Sequence, residues 1–134
     1  MELTEKIEIG MIRKEVVEVV EANTAAQVGS GLLPVFATPA MTALMEKAAA
    51  SLLEELLPEG ETSVGISLNV SHIAATPIGM KVRAEAEVTA VEGKKIFFVV
   101  TAFDEKGKIG EGTHERFIVN AEKFMAKAQA KLEK

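Results

Sequence analysis

The sequence contains no cysteine, tryptophan or tyrosine, and its only aromatic residues are six phenylalanines. Without cysteine, the chain has no disulfide, no thiolate metal site and no cysteine nucleophile. Fifteen basic and twenty acidic residues give a formal net charge of −5, so the basic surface that binds phosphate backbones is missing. The scarcity of aromatic residues also removes the platforms on which bases stack. We therefore expect no nucleic-acid partner.

Membrane segments are also missing from the sequence. The N-terminal residues MELTEKIEIGM are charged from the second position and lack the apolar block of a signal peptide. No charged residue lies between Glu21 and Glu46, but prolines, glycines and polar residues interrupt this stretch and exclude a membrane-spanning helix. We expect a cytoplasmic protein without a membrane partner. Because loops normally lie wet on the surface, this uncharged stretch should be covered by a ligand, a partner subunit or both.

The chain has the length and composition of one globular domain. It has 134 residues, of which 48% are hydrophobic and 26% are charged. A chain of this size buries about two-thirds of its unfolded surface, which is enough for a core without covalent links. No linker, charge block or repeat divides it. Residues 1–134 are therefore predicted to form a single domain.

One long helix is predicted from the spacing of apolar residues after Thr38. They recur at intervals of three and four, which is typical of a helix with one buried face: Met41, Leu44, Met45, Ala48, Leu52 and Leu56. Thr38 is predicted to be the N-cap and Pro39 the first helical residue, where a missing N–H has no cost. Pro58 and Gly60 should end the helix, which gives it about 19 residues.

The other segments predict strands, because apolar and polar residues alternate in them or β-branched residues dominate. They are residues 6–20, 64–71, 81–91, 96–103 and 108–120, and residues 121–133 suit a closing helix. The first segment contains EVVEVVE, which also fits a helix. In 64–71 the alternation places Val64, Ile66, Leu68 and Val70 on one buried face. Short turns after residues 91 and 103 indicate antiparallel neighbours, so the fold class is α+β.

Several common signatures of enzymes are missing from the chain. It has no G-x-S-x-G and no H-E-x-x-H motif. Gly107, Gly110 and Gly112 have the wrong order for a dinucleotide fingerprint and fall in a predicted hairpin, so we interpret them as turn and strand glycines. Two separated histidines without cysteine make a poor zinc site. We expect no metal.

Three polar residues are candidates for catalysis, and each also has a structural interpretation. Glu46 lies among apolar residues of the predicted helix, either as a solvated residue beside Lys47 or as a partly buried base or nucleophile. His72 ends a predicted strand on its apolar face, either as a hydrogen-bonded core residue or at the rim of a substrate site. Thr38, as N-cap, would lie beside unpaired backbone N–H groups that can hold an oxyanion.

His114 and Arg116 lie two positions apart in the last predicted strand, so they share one of its faces. One interpretation is a cross-strand ion pair with a glutamate, which is common. The other is an arginine that binds a phosphate or a carboxylate, for which a planar guanidinium suits better than lysine.

Three segments of the chain resemble a known family. They are VFATPAMTALMEKA at Val35–Ala48, VGISLNVSHIAATPIGMKV at Val64–Val82 and IGEGTHERFIV at Ile109–Val119. In this order they resemble the hotdog-fold acyl-CoA thioesterases, and most closely the fluoroacetyl-CoA thioesterase subgroup. The resemblance implies a five-stranded antiparallel sheet wrapped around a long central helix, plus a C-terminal helix. It also implies two subunits that join edge to edge, with active sites at their interface.

The resemblance also implies roles for five residues. The catalytic threonine, glutamate and histidine of the family correspond to Thr38, Glu46 and His72, and a glycine and an arginine implicated in binding correspond to Gly65 and Arg116. The lid of the fluoroacetyl-CoA enzyme carries aromatic residues, whereas residues 21–34 of this chain carry none. Selectivity for a fluorinated acyl group is therefore not carried over.

We accordingly expect a homodimer or higher oligomer that hydrolyses a small acyl-CoA or a related acyl thioester. Glu46 would attack the carbonyl or activate water, Thr38 would orient the nucleophile, and His72 would assist proton transfer to the leaving thiolate. Because CoA is part of the substrate, no cofactor is expected. The alternatives are a protein of the same fold that binds acyl-CoA without turnover, and a scaffold dimer.

Overall fold

The computed structural model describes residues 6–133. The N-terminal segment for which we expect no signal peptide therefore lies partly outside the described residues. The elements, in chain order, are β1 (Ile12–Glu18), α1 (Ala25–Val28), α2 (Thr38–Glu54), β2 (Glu61–His72), β3 (Lys81–Glu92), β4 (Lys95–Phe103), β5 (Lys108–Asn120) and α3 (Ala121–Gln129). Short 3₁₀ turns at Glu21–Asn23 and Ala130–Leu132 complete the described part.

The five strands form one antiparallel sheet in the order β1-β3-β4-β5-β2. The three central strands follow one another as hairpins, so β1 and β2 form the two edges. Helix α2 packs against all five strands, which places it on the concave face of the curled sheet. The α+β prediction, with one helix wrapped by a five-stranded antiparallel sheet, is confirmed.

The hydrophobic core lies between α2 and the middle of the sheet. On the helix, the predicted apolar face is buried, and its fully buried members include Met41, Met45 and Ala48. On the sheet, β3 contributes the alternate residues that the sequence predicted: Val82, Ala84, Ala86 and Val88. Full burial of a methionine or valine side chain, such as Met41 or Val82, stabilises the fold by about 1.5–3 kcal/mol.

Helix α2 has 17 residues, slightly fewer than predicted, because it ends at Glu54 and a turn leads to Pro58. Its N-cap is Ala37, whose backbone is extended and whose side chain accepts no hydrogen bond. The prediction that Thr38 is the N-cap is therefore wrong: Thr38 is the first helical residue, followed directly by Pro39. None of the helices within residues 6–133 has the length and apolarity that a membrane crossing requires.

The first strand and the last helix are both shorter than predicted. Within the segment 6–20, only Ile12–Glu18 forms a strand, and it pairs with β3. The helical alternative for this segment is therefore wrong. Helix α3 begins after Asn120, whose side chain accepts a hydrogen bond from the backbone of Lys123, and it gives way to the final 3₁₀ turn.

A β-bulge interrupts β2 at Ile66, between Gly65 and Ser67. One extra residue reverses the alternation of side chains. The residues that face α2 are therefore odd-numbered before the bulge and even-numbered after it: Ser63, Gly65, Leu68, Val70 and His72. The prediction that Val64 and Ile66 share this face is wrong, and Ile66 remains 49% exposed.

The strand pairing identifies this face independently. Directly paired residues of an antiparallel ladder lie on the same face. Gly65 pairs with Arg116, and His72 pairs with Gly110. Since Arg116 and Gly110 both lie on the buried face of β5, the bulge places Gly65 and His72 on the same side of the sheet.

The uncharged stretch is folded compactly at its start. Thr24 is buried and caps α1 by accepting a hydrogen bond from the backbone of Gln27. The returning chain pairs with α1, because Ala25 donates to the carbonyl of Val35 at 2.8 Å. Between them, Leu32 is 94% exposed. Residues 21–34 thus form a structured segment, called the flap below, whose apolar tip residue Leu32 is exposed.

Two glycines of β5 are explained by close packing. A Cβ on Gly110 would lie 2.5 Å from Sδ of Met41, and one on Gly112 would lie 2.1 Å from the carbonyl oxygen of Asn69. The interpretation of these residues as strand glycines is confirmed, and the close approach of α2 and β2 requires them.

Candidate active site

Thr38 and His72 meet at one end of α2. Oγ1 of Thr38 lies 2.8 Å from Nδ1 of His72. Thr38 begins the helix and His72 ends β2, so secondary structure fixes both backbones. The hydroxyl contacts the ring, and the N-cap position is held by Ala37. Two of the three candidate catalytic residues are therefore in contact within one chain.

A cavity of about 300 Å³ opens beside this pair. Its walls come from the flap, from the chain before α2 and from the loop after β2, and include Ala25, Phe36 and Ile73. A second cavity of about 300 Å³ lies between β1 and α2, and Phe36 lines that one too. Phe36 is buried, so one core side chain contributes to the walls of both cavities.

The environment of His72 favours its neutral form. Burial lowers the pKa of His72 below its usual value of 6.5, and the backbone of Ala74 acts in the opposite direction. No hydrogen-bond partner within residues 6–133 reaches the buried Nε2 of the ring. A neutral imidazole can accept a proton at neutral pH, so His72 is suited to act as a base toward the Thr38 hydroxyl or toward a water molecule in its place.

Glu46, Gly65 and Arg116 form a second group, further along α2. Nη1 of Arg116 lies 3.7 Å from Oε2 of Glu46. A Cβ added to Gly65 would lie 2.8 Å from the same carboxylate oxygen and 3.3 Å from Nη1 of Arg116. The arginine side chain is 8% exposed and that of Glu46 is 42% exposed. Glu46 is therefore the partly buried carboxylate of the functional interpretation, in contact with a buried cation.

Arg116 is held by more contacts than the sequence suggested. Its Nε donates to Oγ of Ser63 at 2.8 Å and its Nη2 donates to the Ser63 carbonyl at 3.0 Å. Burial lowers the pKa of Arg116 below its usual value, and the carboxylate of Glu46 opposes this. An arginine remains charged under these conditions. The partner of Arg116 is thus a glutamate of the helix, and not one of the neighbouring strand.

His114 shares the face of Arg116, as predicted, but forms no ion pair with a glutamate within residues 6–133. It contacts the Ser67 carbonyl and Arg116 instead. Sequence reasoning missed Ser63, because in an uninterrupted strand it reads as a polar residue of the outer face, and missed Ser67, because that contact uses its backbone carbonyl. The only signal was the strand glycine Gly65 two positions from each, since a glycine within a strand often marks a bulge.

The two groups are separate within one chain. Thr38 and Glu46 are eight residues apart on α2, which corresponds to about 12 Å along the axis. Among residues 6–133, the ion pairs and hydrogen bonds of Glu46 do not extend to Thr38 or His72. The same part of the chain contains no group of three acidic or histidine side chains that could hold a metal ion.

Known proteins resemble this chain in sequence. Residues 19–122 match the family described as fluoroacetyl-CoA-specific thioesterase. The fluoroacetyl-CoA thioesterase of Streptantibioticus cattleyicolor is 44% identical over 97 residues, which cover 72% of this chain and 70% of that protein.

Solved structures resemble the fold. A structure of a fluoroacetyl-CoA thioesterase is 35% identical, covers 93% of this chain and 97% of its own, and has a TM-score of 0.89. A hot-dog-like protein from Thermanaerovibrio acidaminovorans is 27% identical, covers 100% and 99% of the two chains, and has a TM-score of 0.91. The chain has the hotdog fold and belongs to the fluoroacetyl-CoA-specific thioesterase family.

Proposed function

We propose that the protein is a thioesterase that hydrolyses a small acyl-CoA to the free acid and CoA, in the cytoplasm and without a separate cofactor. The observation that carries the proposal is the hydrogen bond of 2.8 Å between Thr38 and His72, at the rim of a cavity. A hydroxyl paired with a neutral imidazole is a common arrangement for acyl transfer. Family membership supports the same reaction.

The reaction forms a carbon–oxygen bond and breaks the carbon–sulfur bond of the thioester. The attacking oxygen belongs to Glu46, to Thr38 or to a water molecule that one of them holds. When the attacking group is a hydroxyl or water, His72 accepts its proton at Nδ1 and returns it to the thiolate. When Glu46 or Thr38 attacks, a water molecule then hydrolyses the acyl–enzyme bond, which releases the free acid and restores the side chain. A thiol has a pKa of about 8.5, so the leaving group needs no strong acid. Gly65 and Arg116 hold the carboxylate of Glu46 beside the acyl end of the substrate.

The complete site is proposed to form between two copies of the chain. The outer edge of β2 has no partner strand among residues 6–133, and soluble proteins cover such edges. If two β2 strands pair antiparallel about a centre at Asn69, and the bulge residue Ile66 is left out of the pairing, His72 faces Gly65 of the partner subunit. This pairing joins the Thr38–His72 group of one copy to the Glu46–Arg116 group of the other. It also covers the exposed part of Glu46.

The proposed substrate is a small acyl group without selectivity for fluorine. The flap that borders the cavity contains no aromatic residue between positions 21 and 34, and its tip residue Leu32 contributes only an aliphatic side chain. The proposed substrate range therefore differs from fluoroacetyl-CoA, the substrate in the names of the related enzymes.

The test is release of free thiol from a panel of short acyl-CoA substrates. We expect turnover by the wild type and at least about a hundredfold loss of kcat/KM for Glu46→Ala. Glu55→Ala is a matched control, because Glu55 directly follows the same helix and forms a surface ion pair with Arg13. Full activity of Glu46→Ala would refute the role of Glu46.

The same panel separates the alternatives. Thermal stabilisation by acyl-CoA without thiol release would identify a binding protein instead, since a ligand at a hundredfold excess over Kd stabilises by about 2.7 kcal/mol. Sedimentation or light scattering at the assay concentration tests the dimer. An active monomer would exclude the site between two copies.

A further inference from the structure

His114 is a buried titratable residue that the proposed reaction does not use. It is 1% exposed and lies on β5, where its ring stacks on Phe98 of β4 with centroids 6.1 Å apart. Its Nδ1 lies 2.8 Å from the Ser67 carbonyl, and its Nε2 lies 3.2 Å from Nη1 of Arg116. Both ring nitrogens therefore have partners.

These two partners determine the position of the proton on the ring. A carbonyl oxygen only accepts hydrogen bonds, so Nδ1 must carry the hydrogen. A guanidinium only donates, so Nε2 must present its lone pair. Only the neutral ring with hydrogen on Nδ1 satisfies both contacts.

The lone pair of His114 completes the fixation of Arg116. Ser63 accepts hydrogen bonds from Nε and Nη2 of the guanidinium, and His114 accepts one from Nη1. With these three bonds made, the guanidinium has one orientation, in which Nη1 is also the atom nearest to Glu46. At 3.7 Å, the Arg116–Glu46 contact is an ion pair without a hydrogen bond, so it attracts the carboxylate but does not set the orientation of the guanidinium.

His114 also contacts the bulge that shapes the site. Its Nδ1 donates to the carbonyl of Ser67, the residue directly after the bulge. Bulges leave backbone groups without ladder partners, so a side chain that bonds to one stabilises the irregular conformation. That conformation brings Gly65 into contact with Glu46. One ring thus supports both groups that border the carboxylate.

We propose that His114 is a positioning residue: as a neutral acceptor it fixes Arg116, and through Arg116 and the bulge it fixes the carboxylate of Glu46. The inference rests on the function proposed above. Burial lowers the pKa of His114, as does the charge of Arg116, whereas the Ser67 carbonyl, Glu46 and Glu115 act in the opposite direction. The net lowering agrees with a neutral ring.

Two amide substitutions separate the contacts of the ring. The amide of His114→Asn reaches the place of Nδ1 and can donate to Ser67, but leaves Arg116 without its acceptor. The amide of His114→Gln reaches the place of Nε2 and restores an acceptor for Arg116. We expect His114→Asn to lower kcat by about tenfold or more with KM changed less than about twofold. His114→Gln should recover most of that loss.

Thermal denaturation of both variants controls for a purely structural role. If the two variants lose activity equally, or only in proportion to their loss of stability, the positioning role is overturned. The ¹⁵N shifts of the His114 ring near pH 7 provide a readout without activity, and we expect the pattern of a neutral ring protonated at Nδ1. A charged ring or hydrogen on Nε2 would overturn the inference. If the shifts agree but the wild type releases no thiol, only the proposed function fails.

Discussion

Glu46 and Gly65 are in contact between α2 and β2, so closely that a Cβ on Gly65 would lie 2.8 Å from Oε2 of Glu46. Gly65 is not needed for a left-handed backbone, because its φ is not positive. The space itself requires glycine. The position of the carboxylate therefore depends on the absence of a side chain from the opposite strand.

For Gly65→Ala we expect the Cβ to displace the Glu46 carboxylate, which is the more mobile partner because it is 42% exposed. The expected result is a loss of kcat/KM of about tenfold to a hundredfold, since small misplacements at an active site are costly. Thiol release and a thermal denaturation curve check it. Undiminished activity in a folded variant would mean that the carboxylate does not need this position.

For Thr38→Val, which keeps the branched shape but removes the hydroxyl, we expect kcat/KM to fall by about 10²–10⁴. Thr38→Ser should retain most of the activity. Thr42→Val is a matched control one turn along α2, because the Thr42 hydroxyl donates to the carbonyl of Pro39 on its own helix. Steady-state assays of the three variants test this, and an equal loss in Thr38→Val and Thr42→Val would argue against a role in the reaction.

Stability should decrease as the pH falls below about 6.5. The pKa of His72 and that of His114 are both lowered in the folded state, in each case mainly by burial. The unfolded chain therefore binds more protons than the folded chain below about pH 6.5. The stability that the two neutral histidines contribute is fully present above that pH and is lost as the pH falls through their folded pKa values. Urea denaturation between about pH 7.5 and 5.5 tests the direction. The stability of His114→Gln should depend less on pH than that of the wild type. An unchanged pH dependence would contradict the contribution of His114.

The two close-packed glycines of β5 should differ in their tolerance of alanine. In Gly110→Ala the new Cβ mainly meets the flexible side chain of Met41, whereas in Gly112→Ala it meets the backbone of Asn69 and Val70. We expect a cost of about 1–3 kcal/mol for the first and a larger one for the second. Denaturant titrations of both variants measure the difference. The reverse order would show that β2 moves more easily than Met41.

The sequence predicted the elements better than it predicted the irregularities. Helix α2 and strand β3 were recognised because their periodicities of 3.6 and 2 persist over many residues. The bulge at Ile66 was missed because the alternation from Val64 to Val70 continues through it without a break. No local pattern reveals that Ser63 and Leu68 share a face, since this is decided by pairing with β5.

The site was predicted through resemblance, and its geometry was not. Threonine followed by proline is typical of a helix start with a capping hydroxyl, yet the Thr38 hydroxyl bonds to His72, which is 34 residues away. A local pattern carries no information about such a contact. The hydrogen bonds to the carbonyl oxygens of Ser63 and Ser67 could not be predicted either, because every residue type carries the same backbone acceptor.

The side chain of Phe36 links the size of two cavities to the stability of the core. It lines the cavity beside Thr38 and also the one between β1 and α2, and it is among the largest fully buried side chains. Removing this side chain would enlarge the space on both sides of it, but the loss of a buried phenylalanine side chain costs about 3–5 kcal/mol. A larger cavity at this position would therefore require compensating substitutions that restore packing elsewhere in the core.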